Sequence, residues 1–267
     1  MTSSRRLAPV VHVAPVVAAA LIALAGCGDG DRGDAAGAPG TSPAGELTVF
    51  AAASLTAAFT DAEAAFEDQY PGVDVVANFA ASSALVTQIG EGAPVDVFAS
   101  ADLASMAKLT AAGEARGEPV VFATNRLEIV VEDGNPLGIT GVADLADPDV
   151  ILAICAPEVP CGAYAATVFE QAGVTVRPDT LEENVTSVVT KVTTGEADAG
   201  LAYASDVLAV ADAVDGVAIP TEHNVLAEYP IAVTAEAPNP VAARAWIEFV
   251  TGAAGQAILA SYGFTAP

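Results

Sequence analysis

Thr48-Val-Phe-Ala-Ala-Ala-Ser54-Leu55 passes from β-branched and aromatic residues through three alanines. It leads into a stretch, to about Tyr70, whose apolar residues recur at helical spacing. The segment reads as a buried strand that ends where a helix opens. The first turn of a helix leaves backbone N–H groups unpaired and carries roughly half a positive charge, so such a junction attracts an anion without any Lys or Arg. Ser54 adds a hydroxyl at that point. Comparable junctions follow at Ser82, Cys161, Val185 and Tyr203.

Short β-branched runs alternate with helical patterns along the rest of the chain. Strands are predicted at 47–51, 74–80, 95–99, 120–123, 127–131, 151–154, 200–202, 216–219 and 231–234. Helices are predicted at 55–69, 83–91, 102–111, 141–145, 162–171, 185–193, 204–210 and 240–259. Such alternation argues for α/β units with mainly parallel sheets, which hold ligands at the carboxyl ends of their strands. The chain is expected to cross between two lobes near Ala123-Thr-Asn-Arg-Leu127 and again near Glu228-Tyr-Pro-Ile231. The helix containing Trp246 then packs back on the first lobe. Lobe I comprises 46–123 and 232–267, lobe II 124–231, with the ligand in the cleft between them.

The N-terminus is set apart from this body. Arg5 and Arg6 precede an almost wholly apolar run from Leu7 to Ala25, which ends in Leu24-Ala25-Gly26-Cys27. Residues 1–26 read as a lipoprotein signal peptide with Cys27 as the lipidated residue, the alternative being an uncleaved membrane anchor. Residues 27–45 are rich in Gly, Asp, Ala, Pro and Ser and read as a flexible tether. The folded part is thereby expected outside the cytoplasm, lipid-anchored or periplasmic. In that oxidising setting Cys155 and Cys161, six positions apart, are expected to pair as a disulfide.

Composition excludes several classes. The 267 residues carry 34 acidic and 9 basic side chains, a formal charge of −25, so nucleic-acid binding has no basic footprint to rest on. Beyond the signal region the one histidine is His223, which leaves no zinc cluster and a single candidate base for a nucleophile. No cofactor motif is present, and an enzyme is the remote alternative. Each junction also has an ordinary reading: Ser54 and Ser82 as helix N-caps, Cys161 and Val185 as solvated helix starts, Tyr203 as a core tyrosine.

Eight collinear stretches together resemble the periplasmic molybdate-binding proteins of ABC importers over about residues 46–266. They are Thr48–Leu55, Phe79–Ser83 with Gln88-Ile89, Gly92–Asp102, Pro157–Gly162, Glu183–Val185, Tyr203–Asp206, Glu228–Val233 and Tyr262–Phe264. The resemblance implies a type II periplasmic-binding-protein fold, a monomer, and an oxyanion held by neutral donors alone. Carried over by position, these donors are the hydroxyl and N–H of Ser54 and of Ser82, the N–H groups of Cys161 and Val185, and the Tyr203 hydroxyl. It implies molybdate or tungstate as ligand, held through its oxygens with no direct cation ligand, and a membrane permease of an ABC transporter as partner. Sulfate or phosphate is the alternative ligand. Two departures stand out: Cys161 where the family often has Ala, and Ala81 where serine is common.

Overall fold

The computed structural model describes residues 42–267; the signal peptide and Cys27 lie outside the described residues. In chain order the elements are β1 (Gly45–Ala52), α1 (Thr56–Gln69), β2 (Val73–Ala80), α2 (Ser82–Gly90), β3 (Val97–Ala99), α3 (Leu103–Ala111) and β4 (Ala115–Glu132). There follow β5 (Leu152–Cys155), α4 (Pro160–Ala172), β6 (Thr180–Glu182), α5 (Val185–Thr193), β7 (Ala199–Tyr203) and α6 (Ala204–Ala209). The chain ends with β8 (Val214–Ala218), β9 (Leu226–Thr234), α7 (Pro240–Thr251) and α8 (Ala253–Ser261).

The strands run in the order β2-β1-β3-β9-β4-β7-β5-β6, with β8 also on β4. β1 pairs in parallel with β2 and β3, and β5 in parallel with β6 and β7. These two parallel sets are the cores of the two lobes. Between them β4 and β9 run antiparallel to their neighbours. Each sheet is therefore mixed rather than mainly parallel, because a chain that crosses from one lobe to the other and back must lie against the local strand direction.

β4 accounts for another difference from expectation. The predicted strands 120–123 and 127–131 are one strand of 18 residues. Its first part pairs with β9, and from Leu127 onward it pairs with β7. The polar Thr124-Asn125-Arg126 reads as a break, yet the buried Thr124 and Asn125 are hydrogen-bonded. The Asn125 amide donates to Ser205 Oγ at 2.8 Å, and Thr124 and Thr265 exchange backbone hydrogen bonds of 2.7 and 3.0 Å. β9 likewise starts at Leu226 instead of 231. The three-residue β6 is too short and polar to register as a periodic run.

Packing follows the helical spacing. Ala58, Phe59, Ala62 and Phe66 form the buried face of α1, and the fully buried Trp246 of α7 meets Phe59 and Phe66 edge-on, with ring centroids at 5.5 and 5.2 Å. The C-terminal segment thus packs back on the first lobe as expected. The predicted helix 240–259 is interrupted at Gly252, however. A side chain at Gly255 would come within 2.5 Å of the Phe249 carbonyl and Val250 Cα, so the second helix turns tightly against the end of the first. At the other end Gly45 already belongs to β1, its N–H donating to the Gly72 carbonyl at 2.7 Å, which shortens the predicted tether by one residue. No described helix is long and apolar enough to cross a membrane.

Candidate functional site

Six strand ends converge on one cavity. It is lined by Ala52 at the end of β1 with Ala53 and Ser54 after it, by Ala80 at the end of β2 with Ala81 and Ser82 after it, and by Ala101 beyond β3. From the other lobe come Pro160 and Cys161 after β5, Asn184 and Val185 after β6, and Tyr203 at the end of β7. All five residues singled out in the sequence are in this set: Ser54 and Ser82 from the first lobe, and Cys161, Val185 and Tyr203 from the second. No charged side chain lines it. The cavity is small, about 10 Å³.

The local geometry separates the two readings of the serines. Neither hydroxyl caps its helix. The short 3-10 turn Ala53–Leu55 that leads into α1 has Ala52 at its N-cap, and α2 has Ala81, both without a side-chain capping bond. Instead Ser82 Oγ accepts the Ala101 N–H at 3.0 Å, which leaves its own proton free for another acceptor. Ser54 Oγ lies 2.9 Å from the Tyr229 hydroxyl.

The backbone donors are positioned by helix starts. Ser82 and Val185 are the first residues of α2 and α5, and Cys161 is the second of α4. No carbonyl of the same helix can reach an N–H at these positions, and none of the three donates elsewhere among the described residues. α4 opens with Pro160, whose fixed φ suits a first helical position; the helix therefore starts two residues earlier than predicted. Asn184 caps α5 by accepting the Ser187 N–H at 3.0 Å. Cys155 and Cys161 are joined in a disulfide.

Tyr203 is 1 % exposed, and its hydroxyl has no hydrogen-bond partner among the described residues. An unpaired buried hydroxyl costs about 1–3 kcal/mol. Burial pushes its phenol well above the usual tyrosine value, so it remains a donor. Tyr203 sits between Tyr164 and Tyr229, with ring centroids at 6.4 and 5.8 Å. Its N–H donates to Asp206 Oδ2 at 3.2 Å. Burial raises the Asp206 carboxyl to about 7.

Three contributors escaped the sequence reading: Tyr229, the Ala101 N–H and Asn184. Asn184 carries a local signal, an Asn directly before an apolar helix. Tyr229 and Ala101 carry none, because only the sheet order brings them to Ser54 and Ser82.

The profile of the bacterial extracellular solute-binding proteins matches residues 47–265. The molybdate-binding protein ModA of Mycobacterium tuberculosis (strain ATCC 25618 / H37Rv) is 43 % identical over 253 residues, which cover 94 % of this chain and 97 % of that one. Among solved structures, the periplasmic molybdate-binding protein of Azotobacter vinelandii aligns with a TM-score of 0.73 at 22 % identity, over 83 % of this chain and 99 % of that one. The sulfate-binding protein SubI of M. tuberculosis H37Rv aligns with a TM-score of 0.75 at 20 % identity, over 83 % and 86 %. At these identities the structural likeness speaks for the fold alone. With the profile match and the 43 % identical relative both spanning the two lobes, the chain belongs to the family of bacterial extracellular solute-binding proteins.

Proposed function

We propose that this protein binds one molybdate or tungstate ion between its lobes and delivers it to the membrane permease of an ABC importer. The observation that carries the reading is the buried Tyr203 hydroxyl, unpartnered among the described residues, on a residue that lines a cavity together with two serines, the Asn184 carboxamide and three helix starts. A tetrahedral dianion supplies acceptors in several directions, and hydrogen bonds to a charged acceptor are the stronger kind. The backbone N–H groups can only donate, so a protonated oxyanion, whose O–H needs an acceptor, is held less well than the dianion. Sulfate is smaller and leaves some donors unmet. The 43 % identical ModA, named for molybdate, supports that choice of anion, which the fold by itself does not make.

In this reading Ser54, Ser82, Cys161, Val185 and Tyr203 hold the ion through its oxygens, and the protein acts as a carrier, not a catalyst. Lobe I (46–123 and 232–267) and lobe II (124–231) close on the ligand as a monomer. Cys27 carries the lipid that keeps the protein at the outer face of the cell membrane.

A thermal-shift panel tests the anion. A ligand that binds only the folded state stabilises it by about 2.7 kcal/mol at a hundred times its Kd. Molybdate and tungstate are expected to raise the melting temperature at concentrations where sulfate and phosphate do not. A larger shift with sulfate than with molybdate overturns the assignment.

A further inference from the structure

We propose that the Cys155–Cys161 disulfide is a positioning element of the oxyanion site, which holds two of its backbone donors in place before the ligand arrives. This rests on the reading of the cavity as an oxyanion site. Cys155 is the last residue of β5, and Cys161, in the first turn of α4, lines the cavity with an N–H that no described group accepts. The bridge therefore ties Cys161 directly to the end of a strand that is paired on both sides.

Two further contacts fix the same point. A side chain at Gly162 would lie 1.9 Å from the Ala156 carbonyl oxygen, so the start of α4 is pressed onto the residue that follows Cys155. The Ala156 N–H in turn donates to the Glu182 carbonyl at 2.8 Å, which extends the β5–β6 ladder by one bond beyond Cys155 and Glu182. Glu182 ends β6, three residues before Val185. The disulfide loop and the turn that presents the Val185 N–H are thus one mechanical unit. Pro157 and Glu158, at the tip of the loop, are exposed and give it no packing of their own. Without the bridge the loop must be ordered when the ion binds, and that ordering weakens affinity.

The consequence is linkage. If the oxidised protein binds molybdate more tightly than the dithiol, molybdate must favour the disulfide by the same factor. Reduction adds two electrons and two protons to give two thiols, while dithiothreitol closes to its cyclic disulfide. A tenfold affinity ratio then lowers the midpoint potential by about 30 mV.

The test measures the thiol–disulfide equilibrium of the full folded protein against dithiothreitol, with and without saturating molybdate. Molybdate affinity is titrated alongside for the native protein and for the Cys155→Ala/Cys161→Ala double variant, whose fold is checked by circular dichroism. The expected results are a roughly tenfold loss of affinity in the variant and a matching molybdate-dependent shift in the equilibrium. The second readout does not require the variant to fold. A disulfide that merely stabilises the chain gives an equilibrium indifferent to molybdate. That outcome, with native binding intact, overturns this inference and leaves the site assignment standing. Failure of the native oxidised protein to bind molybdate overturns the site assignment, and the inference with it.

Discussion

The hydroxyl of Ser54, just beyond β1, lies 2.9 Å from the phenol of Tyr229 in β9, and both residues are buried. Burial keeps the Tyr229 phenol protonated by pushing its pKa well above the usual value. Either hydroxyl can donate in this pair; when Tyr229 donates to Ser54 Oγ, the serine proton is left for an oxyanion in the cavity. Tyr229→Phe is therefore expected to weaken molybdate binding by about 0.5–1.5 kcal/mol, although Tyr229 does not line the cavity, and Ser54→Ala by about 1.5–3 kcal/mol. In a calorimetric double-mutant cycle the two losses should fall short of additivity. Additive losses would mean that the two hydroxyls act independently.

Tyr203→Phe separates stability from function. The substitution removes a buried hydroxyl that no described group satisfies. Without oxyanion, the variant is expected to be about 1 kcal/mol more stable in urea unfolding, and with molybdate to bind about 1.5–3 kcal/mol more weakly. A variant that binds molybdate as tightly as the native protein would move the site away from Tyr203.

Asp206 predicts a pH dependence of stability. Its carboxyl holds the proton more tightly in the folded protein, with a pKa of about 7 against an ordinary 3.8, because of burial. The folded state thus binds more protons than the unfolded one between these values, and this contribution to stability is full below about pH 4 and lost as pH rises through 7. Asp206→Asn retains an acceptor for the Tyr203 N–H and removes the titration. Urea midpoints from pH 5 to 8 should fall more steeply for the native protein than for the variant. Parallel curves would show that Asp206 ionises at its ordinary pKa.

Net charge sets the kinetics of capture. At −25 the chain repels a dianion at long range, and salt screens that field beyond about 8–10 Å. Stopped-flow association of molybdate should accelerate as sodium chloride rises from 10 to 200 mM, in contrast to the usual slowing of charge-steered binding (concentrations are roughly those that take the screening length from 30 to below 10 Å). A rate that falls with salt would point to a local positive field that the neutral cavity lining does not provide.

Much of the candidate site was legible because the residues that line the cavity sit at local junctions. A strand end, a small residue and a helix start at Ser54, Ser82, Cys161 and Val185 are all contiguous in the chain, and so is the Cys155–Cys161 loop. The contacts that tune those donors are not. Tyr229 reaches Ser54 across 175 positions, and the Ala101 N–H reaches Ser82 only because β3 lies beside β1. The same limit explains β4. Thr124, Asn125 and Arg126 look like a loop in isolation, and their partners Thr265 and Ser205 lie far along the chain. The break at Gly252 was hidden for the opposite reason, since the apolar spacing of α7 and α8 runs on through it.

Isothermal titration calorimetry of the dialysed, oxidised protein with molybdate, tungstate, sulfate and phosphate tests the central claim most directly. A cage of neutral donors built around one tetrahedral dianion predicts one ion per chain, with molybdate and tungstate both bound far more tightly than sulfate and phosphate. Tighter binding of sulfate or phosphate, or no heat with molybdate, would contradict it.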